Sequence, residues 1–356
     1  MLGNRPISKR VKPCSRLTRN IIVHKPWFWV RLLIVAAVLY WVVAHNGRER
    51  IAQALLGADP KWAFAAAVCF FLSIVAGAYQ WHLLLKFQGI EYGFGGCFRS
   101  YYAGLFLNNF LPGTVGGDAL RVWDVHRSEA TGVGRAAAAT FLDRLLGFSA
   151  LAFFSLLALA YEFHRNELPA DLLRHLLWSV GSVSLAFLLL LLPLLSRRTS
   201  KVLHAIIRAL GFQKLDAAYA KAQDSLVAYK ARWGNMGSVF VLACVVQFLR
   251  VGVHALSAWA LHLSLAPTLF FSFVPLIALA AVLPLNVGGW GLPQGLGAYL
   301  YALPGVFSIS AGSVLDVRSA AAALTFLPTA IGMVVMLGGG FYFVFRPSSS
   351  AQGRAA

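Results

Sequence analysis

Charged side chains inside apolar segments are the residues of this chain that can do chemistry. Asp118, Arg121, Asp143, Arg144 and Arg250 lie at or inside stretches that are otherwise apolar. A lone charge at the centre of a bilayer costs about 2.5–3.5 kcal/mol on insertion scales, so such side chains face the protein interior and pair. We expect them to bind a charged headgroup or to form structural ion pairs. For Asp118 and Arg121 the sequence favours binding, and for Asp143 and Arg144 both roles stay open.

Two glycine-rich breaks interrupt the apolar sequence at matching places. The segment Leu-Pro-Gly-Thr-Val-Gly-Gly at 111–117 returns as Leu-Pro-Leu-Asn-Val-Gly-Gly at 283–289, 172 residues later. Such a break leaves backbone N–H and C=O groups unpaired unless protein or water satisfies them. The N-termini of the half-helices carry a partial positive charge, so two breaks that meet near mid-membrane can hold an anionic headgroup.

The candidate binding residues at the breaks are Asn108, Asn109, Pro112, Gly113, Gly116, Gly117, Asn286, Gly288, Gly289 and Gln294. The asparagines have an alternative role, which is to satisfy the backbone groups that the breaks set free.

Further pairs of similar residues recur at nearly the same offset. Asp316 and Arg318 follow Asp143 and Arg144 by 173 and 174 residues, and His82 and His254 are 172 residues apart. Several matches at one offset indicate an internal duplication. The two histidines are left out of the predicted site, since a lone histidine near a span boundary is more often a packed residue than a proton carrier.

The composition predicts an integral membrane protein. Hydrophobic residues make up 59% of the 356 residues and charged residues 12%, with a mean hydropathy of +0.69. Segments of about 20 apolar residues cross a bilayer. Six windows are long enough, at 27–45, 62–85, 136–161, 172–195, 237–263 and 319–345. Two shorter apolar pieces, 97–111 and 269–285, each end in a break and predict re-entrant half-helix pairs.

The net charge of +18 is placed as a topology signal rather than as a nucleic-acid surface. Lys and Arg dominate the tail at 1–26 and the connection at 196–236, and cytoplasmic segments carry such an excess. The chain is therefore expected to keep both termini in the cytoplasm, including the tail at 347–356, and to bind no nucleic acid. Its halves, 27–165 and 170–346, are then inverted relative to each other, and the 196–236 connection is either an amphipathic surface helix or a plain linker.

No motif predicts a cofactor, a metal site or an enzyme. The four cysteines show no Cys-x-x-Cys spacing, and no phosphate-binding Walker sequence is present. An enzyme needs another constellation, such as Asp118 with His126, and an integral membrane lipid-modifying enzyme stays as the least favoured alternative.

The residues at the breaks resemble a known family. The sequence NNFLPGTVGGDALR at 108–121, DRLLG at 143–147 and LPLNVGGWG at 283–291 are similar to the transmembrane region of lysylphosphatidylglycerol synthases, a flippase-like family. The resemblance covers about residues 27–345. It implies the handling of lipids such as aminoacylated phosphatidylglycerol, hopanoids or polyprenyl-linked glycolipids, and this chain ends at Ala356 without the aminoacyl-transferase domain of the fused members.

Two departures from the family pattern bear on the headgroup. The Arg-Glu that commonly follows the second break is Pro293-Gln294 here, and the Arg before the Trp of the second span is Gln80 before Trp81.

The sequence thus predicts an all-α polytopic protein of a bacterial-type inner membrane. Its expected activity is movement between leaflets of an anionic or aminoacylated phospholipid, or of a polyprenyl- or hopanoid-type lipid. The expected partners are membrane lipids with phosphate headgroups and enzymes of lipid or envelope synthesis. The alternative is a non-transporting scaffold for such enzymes.

Overall fold

A computed structural model describes residues 26–109, 115–129, 133–165, 169–195, 200–202, 204–205, 208, 233–283, 286, 289–306 and 316–344. This part of the chain is all-α, as predicted. Its helices are α1 Pro26–His45, α2 Arg48–Leu56, α3 Pro60–Phe87, α4 Phe94–Asn108, α5 Val115–Glu129, α6 Val133–Arg165, α7 Ala170–Leu195, α8 Trp233–Ala260, α9 Pro267–Val282, α10 Leu292–Tyr301 and α11 Val317–Val344.

Four of the described helices are long and apolar enough to cross a membrane. These segments are Pro60–Phe87, Val133–Arg165, Met236–Ala260 and Val317–Phe343. Large apolar side chains on them point outward, with Phe64 71% and Val334 67% exposed. Such a surface suits lipid rather than water. Helices α1 and α7 cover the remaining two predicted windows, and the count of six spans stays a prediction.

Short helices flank each break. Helices α4 and α9 lie where the sequence predicts the first half-helices, and α5 and α10 follow the breaks. Proline begins α9 at Pro267 and occupies the first turn of α10 at Pro293, where the missing N–H has no partner to lose. The breaks therefore fall where proline and glycine make a continuous helix costly.

The two short pairs are each enclosed by a separate hydrophobic cluster. Trp81, Leu84 and Tyr101 belong to the cluster around α4 and α5. Phe273 and Tyr301, whose rings are 5.5 Å apart, belong to the cluster around α9 and α10. Long helices join the clusters, because α3 packs along α8, α4 against α11 and α9 against α6.

Two sequence matches differ in their structural setting. Asp143 is buried ten residues into α6, whereas Asp316 is half-exposed and precedes α11. The two aspartates do not occupy corresponding places, so the expected equivalence of Asp143-Arg144 with Asp316 and Arg318 is wrong. The amphipathic helix expected at 196–236 lies mostly outside the described residues.

The glycines of the two breaks serve different purposes. A Cβ on Gly117 would meet the carbonyl oxygen of Gly104 and would stand 2.7 Å from Asn108 Oδ1, so α4 and α5 approach closely there. Gly289 has open space around it but a φ of +80°, which side chains rarely adopt. The first break needs a small residue and the second needs a left-handed backbone.

We expect Gly117→Ala to lower the free energy of unfolding by about 1–3 kcal/mol, because the added methyl group must displace backbone of α4. The matched control is Gly237→Ala in α8, where a Cβ meets no atom within 4 Å. That variant should unfold at or slightly above the wild-type temperature. Thermal unfolding of the purified proteins in detergent measures both, and equal unfolding temperatures would contradict the close contact.

Candidate functional site

A cavity of about 330 Å³ lies between elements of both predicted halves. Helices α3, α4 and α6 form one side, and α8, α9, α10 and α11 form the other. Its polar lining comes from Gln80, Tyr101, Asp143, Arg144, Gln247, Arg250, His254 and Thr329. Apolar side chains such as Val274 and Ile277 complete the wall. The cavity is therefore amphipathic and draws its cations from both halves.

Four charged residues, Asp118, Arg121, Asp143 and Arg144, form a continuous network, which we call the charged network. Arg144 donates to both carboxylate oxygens of Asp118, at 2.8 and 3.1 Å. Arg121 lies 3.4 Å from Asp118 Oδ1 and 3.0 Å from Asp143 Oδ2. The network joins α5 to α6 within one half. These charges pair as expected, but the pairs do not join the two repeats.

Arg121 is the buried centre of the charged network. Its side chain is 3% exposed, and its guanidinium carbon lies 4.4 Å from the ring centroids of both Trp81 and Tyr101. Cation–π contacts of this kind gain strength when they are desolvated. Gln80 Nε2 donates to Asp143 Oδ1 at 3.0 Å, so both oxygens of that carboxylate are bound. Arg121 thus positions Asp143 rather than facing the cavity.

A polar stripe on α8 faces the charged network across the cavity. Gln247, Arg250 and His254 are spaced by three and four residues, which places them on one face of a helix. Arg250 donates to Tyr101 Oη at 3.4 Å, and no ion pair among the described residues includes it. The Nδ1 atom of His254 is buried and has no hydrogen-bond partner in the described part of the chain.

The second break is held by neutral groups, Asn286, Gln294 and Thr329, which we call the neutral network. Asn286 Oδ1 accepts from Leu292 N at 2.9 Å, and its amide donates to Ala280 O at 2.5 Å. Gln294 accepts from Gly291 N at 2.8 Å and donates to Thr329 Oγ1 at 3.0 Å. Gln294 therefore caps α10 and ties it to α11, as Arg121 ties α5 to α6.

Asn108 has the same capping role at the first break. Its Oδ1 accepts from Gly117 N at 2.8 Å, across the break between α4 and α5. Asn109 is buried, and its Nδ2 has no partner among the described residues. The contacts of Asn108 and Asn286 match the alternative role that the sequence left open, satisfaction of freed backbone groups.

The cavity receives only part of the predicted site. It is lined by Asp143, Arg144, Arg250 and Gly289. The residues of the predicted set that lie outside its lining are Asn108, Asn109, Gly116, Gly117, Asp118, Arg121, Asn286 and Gln294. Pro112, Gly113 and Gly288 fall outside the described residues.

Other cavity residues were not predicted. Gln247 and Thr329 carry no motif, and His254 was set aside as a packed histidine, whereas the structure places it at the cavity. The i, i+3, i+7 spacing of the α8 stripe was the signal that could have found Gln247 and His254. His82, its partner in the repeat, instead contacts Tyr92 O at 2.9 Å through Nδ1.

A separate ion pair lies outside the spans. Arg50 at the start of α2 is 3.3 Å from Asp316, which also caps α11 by accepting from Ser319 N at 2.9 Å. Partial burial raises the pKa of Asp316, but the Ser319 hydrogen bonds and the Arg50 charge outweigh it, so the pKa lies below its ordinary value. The stabilisation that this lowered pKa gives is present at neutral pH and is lost as the pH falls through the lowered pKa.

The enzyme alternative gains no geometry from these side chains. Asp118, its candidate acid or base, is engaged by Arg144 and Arg121, and His126 lies eight residues further along α5, beside Trp123. Within the described residues, no group of three His, Cys, Asp or Glu side chains is placed to hold a metal ion.

Comparison with known proteins agrees with this membrane architecture. The family model of the lysylphosphatidylglycerol synthase transmembrane region matches residues 28–332. A UPF0104 membrane protein of Pyrococcus horikoshii is 23% identical over 327 residues, which cover 86% of this chain and 95% of that protein. A UPF0104 membrane protein of Methanocaldococcus jannaschii is 24% identical, with 86% and 94% covered.

We expect Arg121→Ala to lower the free energy of unfolding by about 3–5 kcal/mol, because it leaves Asp143 and Asp118 without their buried partner. Asp143→Asn in the same chain should restore part of the loss. Arg174→Ala is the matched control, since the Arg174–Asp171 pair is 67% and 84% exposed and such pairs contribute about 0–1 kcal/mol. Thermal unfolding in detergent measures all three. Wild-type stability of Arg121→Ala would overturn the positioning role.

Proposed function

We propose that this chain, which belongs to the family of the lysylphosphatidylglycerol synthase transmembrane region, moves a lipid between the leaflets of its membrane through the central cavity. The observation that carries the proposal is the amphipathic lining, with cations on one wall and apolar side chains on the other. A lipid headgroup with its attached chains has the same division, whereas a small polar solute would gain nothing from the apolar wall.

The apolar wall extends towards the outside of the helix bundle. Val274, Ile277 and Ala278 of α9 line the cavity, and Val282 at the end of that helix is 40% exposed. Exposed apolar side chains on a membrane protein contact acyl chains at no cost in free energy. This gradient supports a path on which the headgroup occupies the cavity while the chains stay in the bilayer.

Alternating access by inverted repeats is the mechanism that we propose for this path. Packing of α4 against α11 is matched by packing of α9 against α6, and α3 packs along its repeat counterpart α8. Exchange of corresponding contacts is expected when two inverted halves rock around a shared site. The charged and neutral networks tie the second half-helix of each pair to the span that follows it.

The proposed setting is a bacterial-type inner membrane with both termini in the cytoplasm, since the basic segments at 1–26 and 196–236 follow the positive-inside bias. Lipid-synthesis or envelope-synthesis enzymes would supply or consume the lipid. A scaffold for such enzymes is the competing function, and it requires no movement of lipid.

The orientation predicts which side reacts with an impermeant maleimide. In a background that lacks Cys14, Cys69, Cys97 and Cys244, Asp171→Cys should be labelled from outside intact cells, because it lies in the proposed external α6–α7 connection. Lys86→Cys at the end of α3 should react only after the membrane is opened. Labelling in the reverse order would contradict the topology.

The transport proposal is tested by filling the cavity. Ala281→Trp places an indole in the cavity, and Val334→Trp is the matched control on the exposed face of α11. In reconstituted vesicles, loss of an acyl-labelled lipid from the protected leaflet should fall to the rate of protein-free vesicles for Ala281→Trp and stay at the wild-type rate for Val334→Trp. Unfolding temperatures confirm that both variants are folded. If wild-type protein moves no lipid, the scaffold function is favoured.

A further inference from the structure

We infer that the cavity selects a headgroup with one net negative charge, a phosphate ester, and that Arg250 is the residue that binds it. This inference rests on the proposed lipid path and names the substrate class among those that the sequence left open. It depends on a count of charges, on the contacts of Arg250 and on the groups beside it.

The interior charges do not cancel. The charged network contains two arginines and two aspartates, and each of its charges has an opposite partner within 3.4 Å. Arg250 adds a third arginine without adding a carboxylate. Three arginines against two aspartates leave one positive charge at the cavity, and a charge in a medium of low dielectric attracts a counter-ion strongly.

The contacts of Arg250 leave it available to a ligand. Its one printed hydrogen bond is the 3.4 Å contact with Tyr101 Oη, and a neutral hydroxyl does not balance its charge. The ring of Tyr101 is itself engaged with Arg121. Arginine presents several N–H groups in a planar fork, which suits the oxygens of a phosphate.

The neighbours of Arg250 offer further polar groups to the same ligand. Gln247 and His254 lie one turn before and one turn after it on α8, and both line the cavity. The buried Nδ1 of His254 lacks a partner in the described part of the chain, and a buried polar group without a partner costs free energy until a ligand satisfies it. The α8 stripe therefore has unmet polar capacity at the place where the charge is unbalanced.

A headgroup with a net positive charge does not fit this arrangement. An aminoacylated headgroup with an extra ammonium would bring a second positive charge beside Arg250. The nearby carboxylates, Asp118 and Asp143, already bind Arg144, Arg121 and Gln80. A neutral lipid leaves the Arg250 charge unbalanced, so a monoanion is the favoured occupant.

The test measures binding separately from transport. Purified protein in neutral detergent is titrated with phosphatidylglycerol labelled on an acyl chain, and the label is displaced by phosphatidylglycerol, phosphatidylcholine or lysylphosphatidylglycerol with matched chains. We expect phosphatidylglycerol to displace the label at the lowest concentration. Glycerol 3-phosphate is included as a soluble competitor, and equal potency of this compound would show that the site takes free phosphate esters instead of lipid.

Variants assign the preference to Arg250. Arg250→Gln should weaken phosphatidylglycerol binding about ten- to a hundredfold and bring the three lipids to similar affinities. Arg250→Lys should keep the order of preference, and Arg174→Gln, an exposed control, should bind as wild type does. Because Arg250 has no carboxylate partner to strand, its glutamine variant should unfold at or above the wild-type temperature.

The outcomes separate this inference from the transport proposal. Tightest binding of lysylphosphatidylglycerol, failure of wild type to bind the labelled lipid, or an unchanged preference in Arg250→Gln would each overturn the inference. Movement of all three lipids at one rate in vesicles would also overturn it, while leaving transport in place. Charge-selective binding without lipid movement would leave the site standing and remove the transport function.

Discussion

The requirement that every polar group inside the bilayer find a protein partner shapes the whole structure. Water cannot repair the breaks between the half-helices, so side chains do so. Asn108 accepts from Gly117 N and Asn286 accepts from Leu292 N, each across its own break. The same requirement pairs Asp118 with Arg144 and Asp143 with Arg121. The positions of α5 and α10, and hence the shape of the cavity between them, depend on these contacts.

The two halves meet this requirement with different chemistry. Arg121 and Asp143 connect α5 to α6 through charges, whereas Gln294 and Thr329 connect α10 to α11 through neutral groups. An ion pair in a low-dielectric interior binds strongly but is costly to separate, since each partner is left as an uncompensated charge. Neutral hydrogen bonds exchange partners at lower cost. A shared architecture therefore carries two unequal connections.

The sequence predicts much of the fold because its main signals are local. Apolar length places the long helices, and the Pro-Gly breaks at 111–117 and 283–289 place the ends of the short ones. The partners of each charge are less accessible to sequence reasoning, because Asp118 meets Arg144, 26 residues away, only once α5 and α6 pack. For the same reason, Arg121 was expected at the site but lies behind it, while His254 was set aside but lines the cavity. Likewise, the match of Asp316 with Asp143 was a coincidence of spacing, since one lies before its helix and the other well inside.

The surplus positive charge of the cavity also determines how the protein responds to a membrane potential. Moving one elementary charge through a potential of 100 mV changes its energy by about 2.3 kcal/mol. With Arg250 unbalanced, a rearrangement of the empty cavity across the bilayer would carry charge through this field. A bound monoanion cancels that charge, so the occupied cavity is electrically silent. The voltage dependence of a transport cycle built on this site would therefore belong to its unloaded step.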